Sequence, residues 1–222
     1  MSDVATSPNS PVDPCVYQLR VVLAGISPLI WRRLLIRADT TIAGLHAILQ
    51  AAFGWSGEHL HRFVIQGREY GIVYSGGPGF RDDARTVRLG ELGLRPTERF
   101  CYYYDFTDGW CHDLRLEQIL SAPPGWCRPR CVGGRRAGPP EDCGGPGAFL
   151  EQTQPHLVFA AMLRAAEILG MLLDEQDTEV TRVGEHRDEL AALLPLLGLE
   201  RFDRRALNRA LAGLTATQAR VA

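Results

Sequence analysis

The sequence predicts an α+β protein: a mostly antiparallel sheet with one early amphipathic helix packed on it, followed by a helical C-terminal region. Three observations predict this class. Strand-like segments joined by turns fill most of residues 17–120. One stretch among them, residues 42–53, has apolar side chains at helical spacing. Beyond residue 155 the apolar pattern is helical.

The predicted strands are runs of β-branched and aromatic residues bounded by turn signals. The first two form a hairpin around a turn at residues 25–28. Asp108-Gly109 is a strong signal for a second hairpin. The strand segments are residues 17–23, 29–36, 61–66, 69–74, 100–106 and 110–120.

The early helix has clear start and stop signals. A side-chain oxygen within residues 39–41 caps its first amides, and Gly54 ends it. His46 lies at the edge of its apolar face, where we expect a packed, hydrogen-bonded histidine rather than a metal ligand. The apolar positions are Ile42, Leu45, Ile48, Leu49, Ala52 and Phe53.

Residues 122–147 differ in kind from the rest of the chain. Thirteen of these 26 residues are glycine or proline, so we expect little regular structure. Three cysteines and four arginines lie in the same segment, and this composition favours an ordered loop over a linker.

Three helices are predicted in the C-terminal region. Pro155 suits the first position of a helix. The next helix covers about residues 185–194 and is ended or kinked by Pro195. The last helix starts at Asp203, where a hydrophobic staple is also present.

The overall composition is that of an ordinary globular protein. Hydrophobic residues make up 45% of the 222 residues and charged residues 23%, with a net charge of −2. That balance excludes a general attraction to nucleic acid or to an anionic membrane. No apolar run approaches the roughly 18 residues that span a bilayer, and the polar start lacks a signal-peptide pattern. We therefore expect a cytoplasmic protein without a membrane partner, whose six cysteines are reduced.

Two histidines two residues apart form the first candidate site. If His61 begins a strand, His59 and His61 point to the same face, and two imidazoles on one face can share a divalent metal such as zinc. His112, in the second hairpin, is the available third ligand, with Asp105 and Asp108 nearby in sequence. The alternative is a pair of histidines hydrogen-bonded in a loop or at the surface.

Three cysteines form a second candidate. Cys127, Cys131 and Cys143 have spacings that suit thiolate ligands. A structural zinc site needs four ligands, however, and the segment contains no histidine. We expect buried neutral thiols instead.

Adjacent carboxylates form a third candidate. Glu141 and Asp142 precede two glycines, which leave backbone amides open. These acids would cap a turn, ligate a metal or act as acid and base. They could also pair with the arginines just upstream, which could otherwise contact phosphate. Those arginines are Arg128, Arg130, Arg135 and Arg136.

Arg32 and Arg33 lie in the second predicted strand, one on each face. The inward one would need a carboxylate partner. Motifs for a serine nucleophile, a phosphate-binding loop and a dinucleotide fold are absent from the sequence.

Taken together, several stretches resemble the plasmid Orf-three-like family, first named from an open reading frame on a root-inducing plasmid. Members are also known as the TnpR-type passenger protein of an insertion element. The resemblance covers about residues 16–150 and resumes at 185–211. The stretches are GISPLIWRRLLI, LHAILQAAFGW, HLHRF, YYYDFTDGWCHDLRLE, AGPPEDCGG and EHRDELAALLPLLGLERFDRRALNRAL.

The resemblance implies a compact α+β fold and an association with mobile DNA. Its conserved-pattern positions fall on Asp105, Phe106, Asp108, Trp110, His112, His59, His61, Pro139, Pro140, Glu141, Asp142, Gly144 and Gly145. Two positions depart from the pattern: Thr107 replaces a glycine, and Gly138 stands where members often have a cysteine.

The resulting domain organisation is a disordered leader at 1–14 and an α+β core domain at 15–150. A helical insertion at 151–184 follows, then C-terminal helices at 185–214 that complete the domain, and a tail at 215–222. The ranges are predictions from composition, helical periodicity and the extent of the resemblance.

Three function classes fit these features. The first is a non-enzymatic binding or accessory module, for a nucleic-acid or protein partner, with a polar surface at Arg32, Arg33, Asp105, Asp108, Trp110, Glu141 and Asp142. The second is a metal-dependent hydrolase or nuclease that uses His59, His61, His112 and Glu141 or Asp142, with the metal activating water. The third is a protein–protein adaptor that docks through the C-terminal helices. We expect the first.

Overall fold

The computed structural model describes residues 15–72, 79–173, 180–197 and 201–214. Its described residues form a sheet of eight strands: β1 Cys15–Leu23, β2 Trp31–Arg37, β3 His61–Ile65, β4 Arg68–Gly71, β5 Asp82–Asp83, β6 Arg99–Tyr104, β7 Trp110–Ser121 and β8 Arg130–Arg135. The helices are α1 Ile42–Phe53, α2 Gly145–Gln152, α3 Pro155–Leu173, α4 Val180–Leu197 and α5 Arg204–Gly213, with a 3-10 turn at Leu89–Leu92.

The strand order across the sheet is β5-β4-β3-β6-β7-β1-β2-β8. All neighbouring strands run antiparallel except β4 and β5, which are parallel. The predicted α+β class, with an early helix and C-terminal helices, is confirmed. The order also places β3 beside β6, far from β1 and β2, and this pairing builds the candidate site described below.

The ends of α1 follow from local chemistry, as predicted. The Thr41 side chain accepts a hydrogen bond from the Gly44 amide at 2.9 Å, which caps the first turn. Gly54 ends the helix in the left-handed conformation, with a φ of 82°. The apolar face of α1 is fully buried in one hydrophobic cluster with alternate residues of β1, β2 and β7. Each such buried aliphatic side chain stabilises the fold by about 1.5–3 kcal/mol.

The Gly/Pro-rich segment contains a strand, β8, where we expected little regular structure. It pairs with β2 and forms one edge of the sheet. A Cβ at Gly134 would lie 2.4 Å from the Phe202 ring, so a larger residue there would displace that ring. The Asn208 side chain of α5 accepts from the Cys131 amide and donates to its carbonyl, at 2.8 and 3.0 Å. That exchange covers part of the exposed strand edge.

The C-terminal helices differ in two ways from expectation. The short helix α2 was not predicted, because its Gly-Pro-Gly start is typical of a loop. Helix α4 begins at Val180 and continues past Pro195 to Leu197, so the proline does not end it. Asp203 caps α5 as predicted, accepting from the amides of Arg205 and Ala206 at 2.9 Å.

Helix α3 corrects one sequence-based statement. It has 19 residues and a mean hydropathy of 1.7, which is long and apolar enough to cross a membrane by length and composition. The helix contains two charged residues, Arg164 and Glu167, so it is not an uninterrupted apolar run. Arg164 makes a two-point ion pair with Glu189 of α4, at 2.6 and 2.9 Å.

The predicted leader at 1–14 and tail at 215–222 lie outside the described residues, and the proposed domain limits stay predictions.

Candidate functional site

A cluster of one histidine and two aspartates forms where three separate segments meet. His59 lies two residues before β3, Asp105 directly follows β6, and Asp142 lies in the loop before α2. β3 and β6 pair with His61 opposite Tyr104, which brings the first two segments together. The three side chains are hereafter the outer cluster.

The outer cluster has the spacing of a ligand set. His59 Nε2 lies 2.9 Å from Asp142 Oδ1, and His59 Nδ1 lies 4.0 Å from Asp105 Oδ2. One donor atom from each residue lies within 4.8 Å of the other two. In the part of the chain that the structure describes, no other set of three histidines, cysteines or acids meets that condition.

Asp105 is the buried member of the cluster, with only 5% of its side chain exposed. Its Oδ1 accepts hydrogen bonds from the amides of Thr107 and Asp108, at 3.0 and 3.3 Å. Its backbone adopts a φ of 52°, which aspartate tolerates better than most residues. Oδ2 is left facing His59. Local turn chemistry therefore orients one carboxylate oxygen toward the cluster.

The loop that carries Asp142 is held by its neighbour, Glu141. Glu141 Oε2 accepts from the Ser56 amide at 2.8 Å, and Oε1 accepts from the Tyr104 hydroxyl. Desolvation disfavours the Glu141 carboxylate, but these hydrogen bonds outweigh it and hold its pKa below the usual range. Burial, and then the bond to Glu141, raise the pKa of Tyr104, so its hydroxyl stays a donor.

Close backbone packing also positions this loop. Trp55 Nε1 donates to the Pro139 carbonyl at 2.9 Å. A Cβ at Gly138 would lie 2.1 Å from the Phe53 carbonyl oxygen, and one at Gly145 would lie 2.1 Å from that of Asp108. Gly138 thus lets the loop lie directly on the end of α1.

The other predicted histidines lie inside the protein. His61 stacks on His46 with ring centroids 3.6 Å apart, and His46 Nδ1 lies 2.7 Å from the Tyr102 hydroxyl. His112 is fully buried and lies edge-on to Phe53, with ring centroids 4.6 Å apart. The three buried histidines, with Tyr102, are hereafter the inner cluster. The structure does not bring His59, His61 and His112 together as one ligand group.

Burial sets the protonation state of the inner cluster. Desolvation lowers the pKa of His61 to about 4. Desolvation lowers the pKa of His112 to about 3, although the Tyr102 backbone partly offsets this shift. It also lowers the pKa of His46 to about 2, and the neighbouring His61 adds to that shift. Both ring nitrogens of His61 are buried without a hydrogen-bond partner among the described residues. These imidazoles are neutral near pH 7, and the expectation for His46 is met.

The remaining predicted site residues have structural surroundings. Arg32 is buried and donates to the carbonyls of Trp31, Ala52 and Arg135 at 2.9–3.1 Å, so it uses no carboxylate. Its guanidinium also lies over the Phe202 ring, 4.2 Å from the centroid. The expected carboxylate partner is replaced by three backbone carbonyls, one of which, that of Ala52, lies at the C-terminal end of α1.

Three further predicted residues also have structural contacts. Arg33 pairs with Glu117 through two hydrogen bonds, at 2.6 and 2.9 Å. Trp110 is a core residue, 1% exposed, and packs against Phe149. Asp108 accepts a hydrogen bond from the Gly144 amide at 3.1 Å, which ties the hairpin to the loop that carries Asp142.

The cysteines do not form a ligand group among the described residues. Cys131 is buried and Cys143 partly buried, and burial raises the pKa of both thiols. Both thiols are therefore neutral near pH 7, as the sequence predicted. Cys127 is exposed, so the expectation of a buried thiol was wrong there.

A cavity of about 670 Å³ opens beside the outer cluster. Helices α2, α3 and α4 form its walls, and Glu141 and Asp142 lie at its rim. No sequence signal predicted it, since its lining comes from segments that are distant in the chain. Its apolar lining includes Phe149, Leu157, Ala160, Ala161, Leu193 and Leu196.

Comparisons with known proteins agree with this fold. A curated relative, the uncharacterized protein y4hQ of Sinorhizobium fredii (strain NBRC 101917 / NGR234), is 33% identical over 182 residues, or 80% of this chain and 93% of its own. The crystal structure of a protein of unknown function, MM3350 from Methanosarcina mazei Go1, matches with a TM-score of 0.61 and 28% identity. It covers 88% of this chain and 97% of its own.

The match to the family profile includes all three members of the outer cluster. That profile, described as plasmid pRiA4b ORF-3-like protein, covers residues 15–156. Only α1, α2 and the sheet fall wholly within this range, whereas α3 extends beyond it. On this match and the relative y4hQ, the chain belongs to the plasmid pRiA4b ORF-3-like family.

Proposed function

We propose that the chain is a non-enzymatic binding module whose ligand is a small organic molecule with an apolar body and a cationic end. The observation that carries this proposal is the cavity of about 670 Å³, which is within the usual size of ligand pockets. Its position beside the outer cluster gives an apolar volume with polar groups at one end. Such a combination is typical of small-molecule sites.

Small side chains support the proposal because they leave room for a ligand. Ala160 and Ala161 face the cavity from α3, opposite Leu193 and Leu196 of α4. Larger residues at these positions would fill the space between the two helices. The apolar body of a ligand would gain about 25 cal/mol for each Å² of apolar surface removed from water.

Charge at the rim favours a cation. Glu141 and Asp142 contribute two carboxylates, and the Asp142 side chain is 71% exposed. Arg164 also lines the cavity, but its charge is already paired with Glu189 and Glu167. Both Glu141 oxygens accept hydrogen bonds and Asp142 Oδ1 pairs with His59, so the largely exposed Asp142 carboxylate is the group that an ammonium ion would complement.

The test is calorimetric titration with straight-chain alkylammonium ions of increasing length, compared with the alcohols of the same length. We expect affinity to rise with chain length and to be higher for the ammonium series. Ala160→Trp fills the cavity and should weaken binding at least about 10-fold. Ala166→Trp is the matched control, because Ala166 is exposed on the same helix and does not line the cavity. Equal binding by the two variants would contradict the proposal.

A second candidate function is protein–protein contact through α3, with a second copy of the chain as partner. The outward face of α3 exposes more than half of each of Phe159, Met162, Leu163 and Leu169. An apolar stripe of this kind is uncommon on a surface that contacts only water. Light scattering over a concentration series tests it: Leu163→Glu should reduce self-association, whereas Arg187→Glu on the exposed part of α4 should not.

The metal-dependent hydrolase is the alternative prediction from the sequence. Its histidines are divided between the two clusters, because His59 lies beside Asp142, whereas His61 and His112 are buried in the inner cluster. Association with mobile DNA, nucleic-acid binding and a cytoplasmic location likewise remain predictions from the sequence.

A further inference from the structure

We propose that His59, Asp105 and Asp142 bind a divalent first-row transition-metal ion, with Zn²⁺ or Mn²⁺ as the fitting ions. This site uses one of the three histidines predicted from the sequence and two acids in place of the others. The inference goes beyond the proposed binding of an organic ligand and does not depend on it.

Distances support the site. Ligand atoms lie about 2.0–2.2 Å from a bound zinc ion, so two ligands of one tetrahedral ion are about 3.3–3.6 Å apart. The outer cluster already has one donor atom per residue within 4.8 Å of the other two. Asp142 has a largely exposed side chain, which can move closer to the other two ligands by the remaining distance of about 1 Å.

The buried carboxylate of Asp105 is an independent indication. Oδ1 is occupied by two backbone amides, but Oδ2 receives no hydrogen bond from any residue in the described ranges. His59 Nδ1 lies 4.0 Å from Oδ2, beyond hydrogen-bond distance. The Asp105 side chain is only 5% exposed, so its charge is poorly solvated, and a cation next to Oδ2 would compensate it.

The ligands are fixed by their own surroundings, as in known metal sites. Thr107 and Asp108 orient Asp105, and Glu141, bound to Ser56 and Tyr104, holds the loop next to Asp142. An ion would therefore join three segments that are already in place. Binding of this kind stabilises the folded state by mass action.

The donor set indicates which ions fit. Carboxylate oxygens suit Mn²⁺ and imidazole nitrogen suits Zn²⁺, whereas soft ions that prefer thiolates find no sulfur here. Three protein ligands leave at least one coordination position open. Because Asp142 also lines the cavity, a bound ion would lie at the cavity rim.

The experiment uses the full chain without a histidine tag, stripped with chelator and titrated with ZnCl₂ or MnCl₂ by calorimetry, with Mn²⁺ electron paramagnetic resonance as a second measurement. We expect one ion per chain. Asp105→Asn should weaken binding at least about 10-fold while keeping the turn, because an amide oxygen can still accept from the Thr107 and Asp108 amides. Asp113→Asn is the control, since Asp113 pairs with Arg99 outside the cluster.

Circular dichroism of each variant separates loss of binding from loss of fold. If Asp105→Asn fails to fold, the exposed Asp142→Asn carries the same test. Far less than one ion per wild-type chain, or unchanged affinity in the folded cluster variants, would overturn the proposal. Ala160→Trp should leave ion binding intact, so failure of the organic-ligand proposal is distinguishable from failure of this one.

Discussion

His61 of the inner cluster and His59 of the outer cluster lie two residues apart in the chain, yet their surroundings are opposite. His61 is 2% exposed and stacks on another imidazole among aromatic rings. His59 is one-third exposed and lies between two carboxylates. Residues of one type, separated by a single leucine, therefore serve packing in one case and are available to a ligand in the other.

His59 and His61 therefore do not form one site. Strand β3 begins at His61, so the alternation that would align the two side chains starts only after His59. His59 belongs to the preceding loop, and its direction is set by Asp105 and Asp142 rather than by the sheet. The inner cluster should therefore control stability, and the outer cluster should control binding.

Acid pH provides the largest expected effect and acts on the inner cluster. An unfolded histidine has a pKa of about 6.5, whereas burial lowers the pKa of His61 to about 4 and of His112 to about 3. Below pH 6.5 the unfolded chain binds protons that the folded chain does not. The stabilisation is thus complete above pH 6.5 and is lost as pH falls toward the folded-state pKa values. With His46, whose pKa burial also lowers, the loss from pH 6.5 to 4.5 is roughly 7 kcal/mol.

Urea denaturation at stepped pH measures this dependence. His61→Phe removes one of the three titrating groups and should reduce the slope of unfolding free energy against pH by about a third. Ile48→Val in α1 is the control, because it should lower stability by about 0.5–1.5 kcal/mol without changing that slope. A wild-type unfolding free energy that is constant over this pH range would remove the assigned role of the inner cluster.

Substitution of Trp110 should have the next largest effect on stability. It distinguishes a core position of the hairpin from a surface position. We predicted Trp110 as a binding residue, but it is buried against Trp55 and Phe149. Trp110→Ala should lower the free energy of unfolding by about 3–5 kcal/mol. Phe106→Ala, at a half-exposed ring in the same hairpin, should change it by less than about 1 kcal/mol. Equal losses in the two variants would show that the hairpin surface is as structural as its core.

Tyr102→Phe tests the polar contacts of the inner cluster at smaller magnitude. The Tyr102 hydroxyl lies 2.7 Å from both His46 Nδ1 and Gln50 Nε2. Its removal leaves both buried groups without that partner and should cost about 1–3 kcal/mol. Pairing with Gln50→Leu in a double-mutant cycle measures how much of the loss belongs to that contact. A cost below about 0.5 kcal/mol would mean that water replaces the hydroxyl.

Local chemistry was sufficient to predict much of the fold. The cap at Thr41, the stop at Gly54 and the turn at Asp108-Gly109 each depend on a few adjacent residues, and all are present. The strand β8 could not be predicted in this way. Gly134 weakens a strand when considered alone, and its purpose is visible only once the Phe202 ring, distant in the chain, lies against it.

The candidate site shows the same division. His59, Asp105 and Asp142 were each predicted as site residues, but their combination depends on β3 pairing with β6 and on the loop lying against the end of α1. Spacing along the chain does not contain those contacts. The cavity was not predicted, because its walls come from α2, α3 and α4, and short side chains facing one another across helices leave no sequence signal.

The smallest effect on stability is expected in the outer cluster of the metal-free protein. This prediction tests most directly whether the outer cluster differs from the inner cluster. His59→Gln and Asp142→Asn should each change the free energy of unfolding by less than about 0.5 kcal/mol, because the pair is exposed and screened. With Zn²⁺ at 100 times its dissociation constant, the wild type should gain about 2.7 kcal/mol.

Neither variant should show that gain, and added chelator should abolish it in the wild type. Urea denaturation with and without the ion measures both quantities on the same samples. A loss above about 1.5 kcal/mol without metal would identify the outer cluster as a structural link between β3, β6 and the Asp142 loop. The contrast with the inner cluster would then fail, because both sets of histidines would serve the fold.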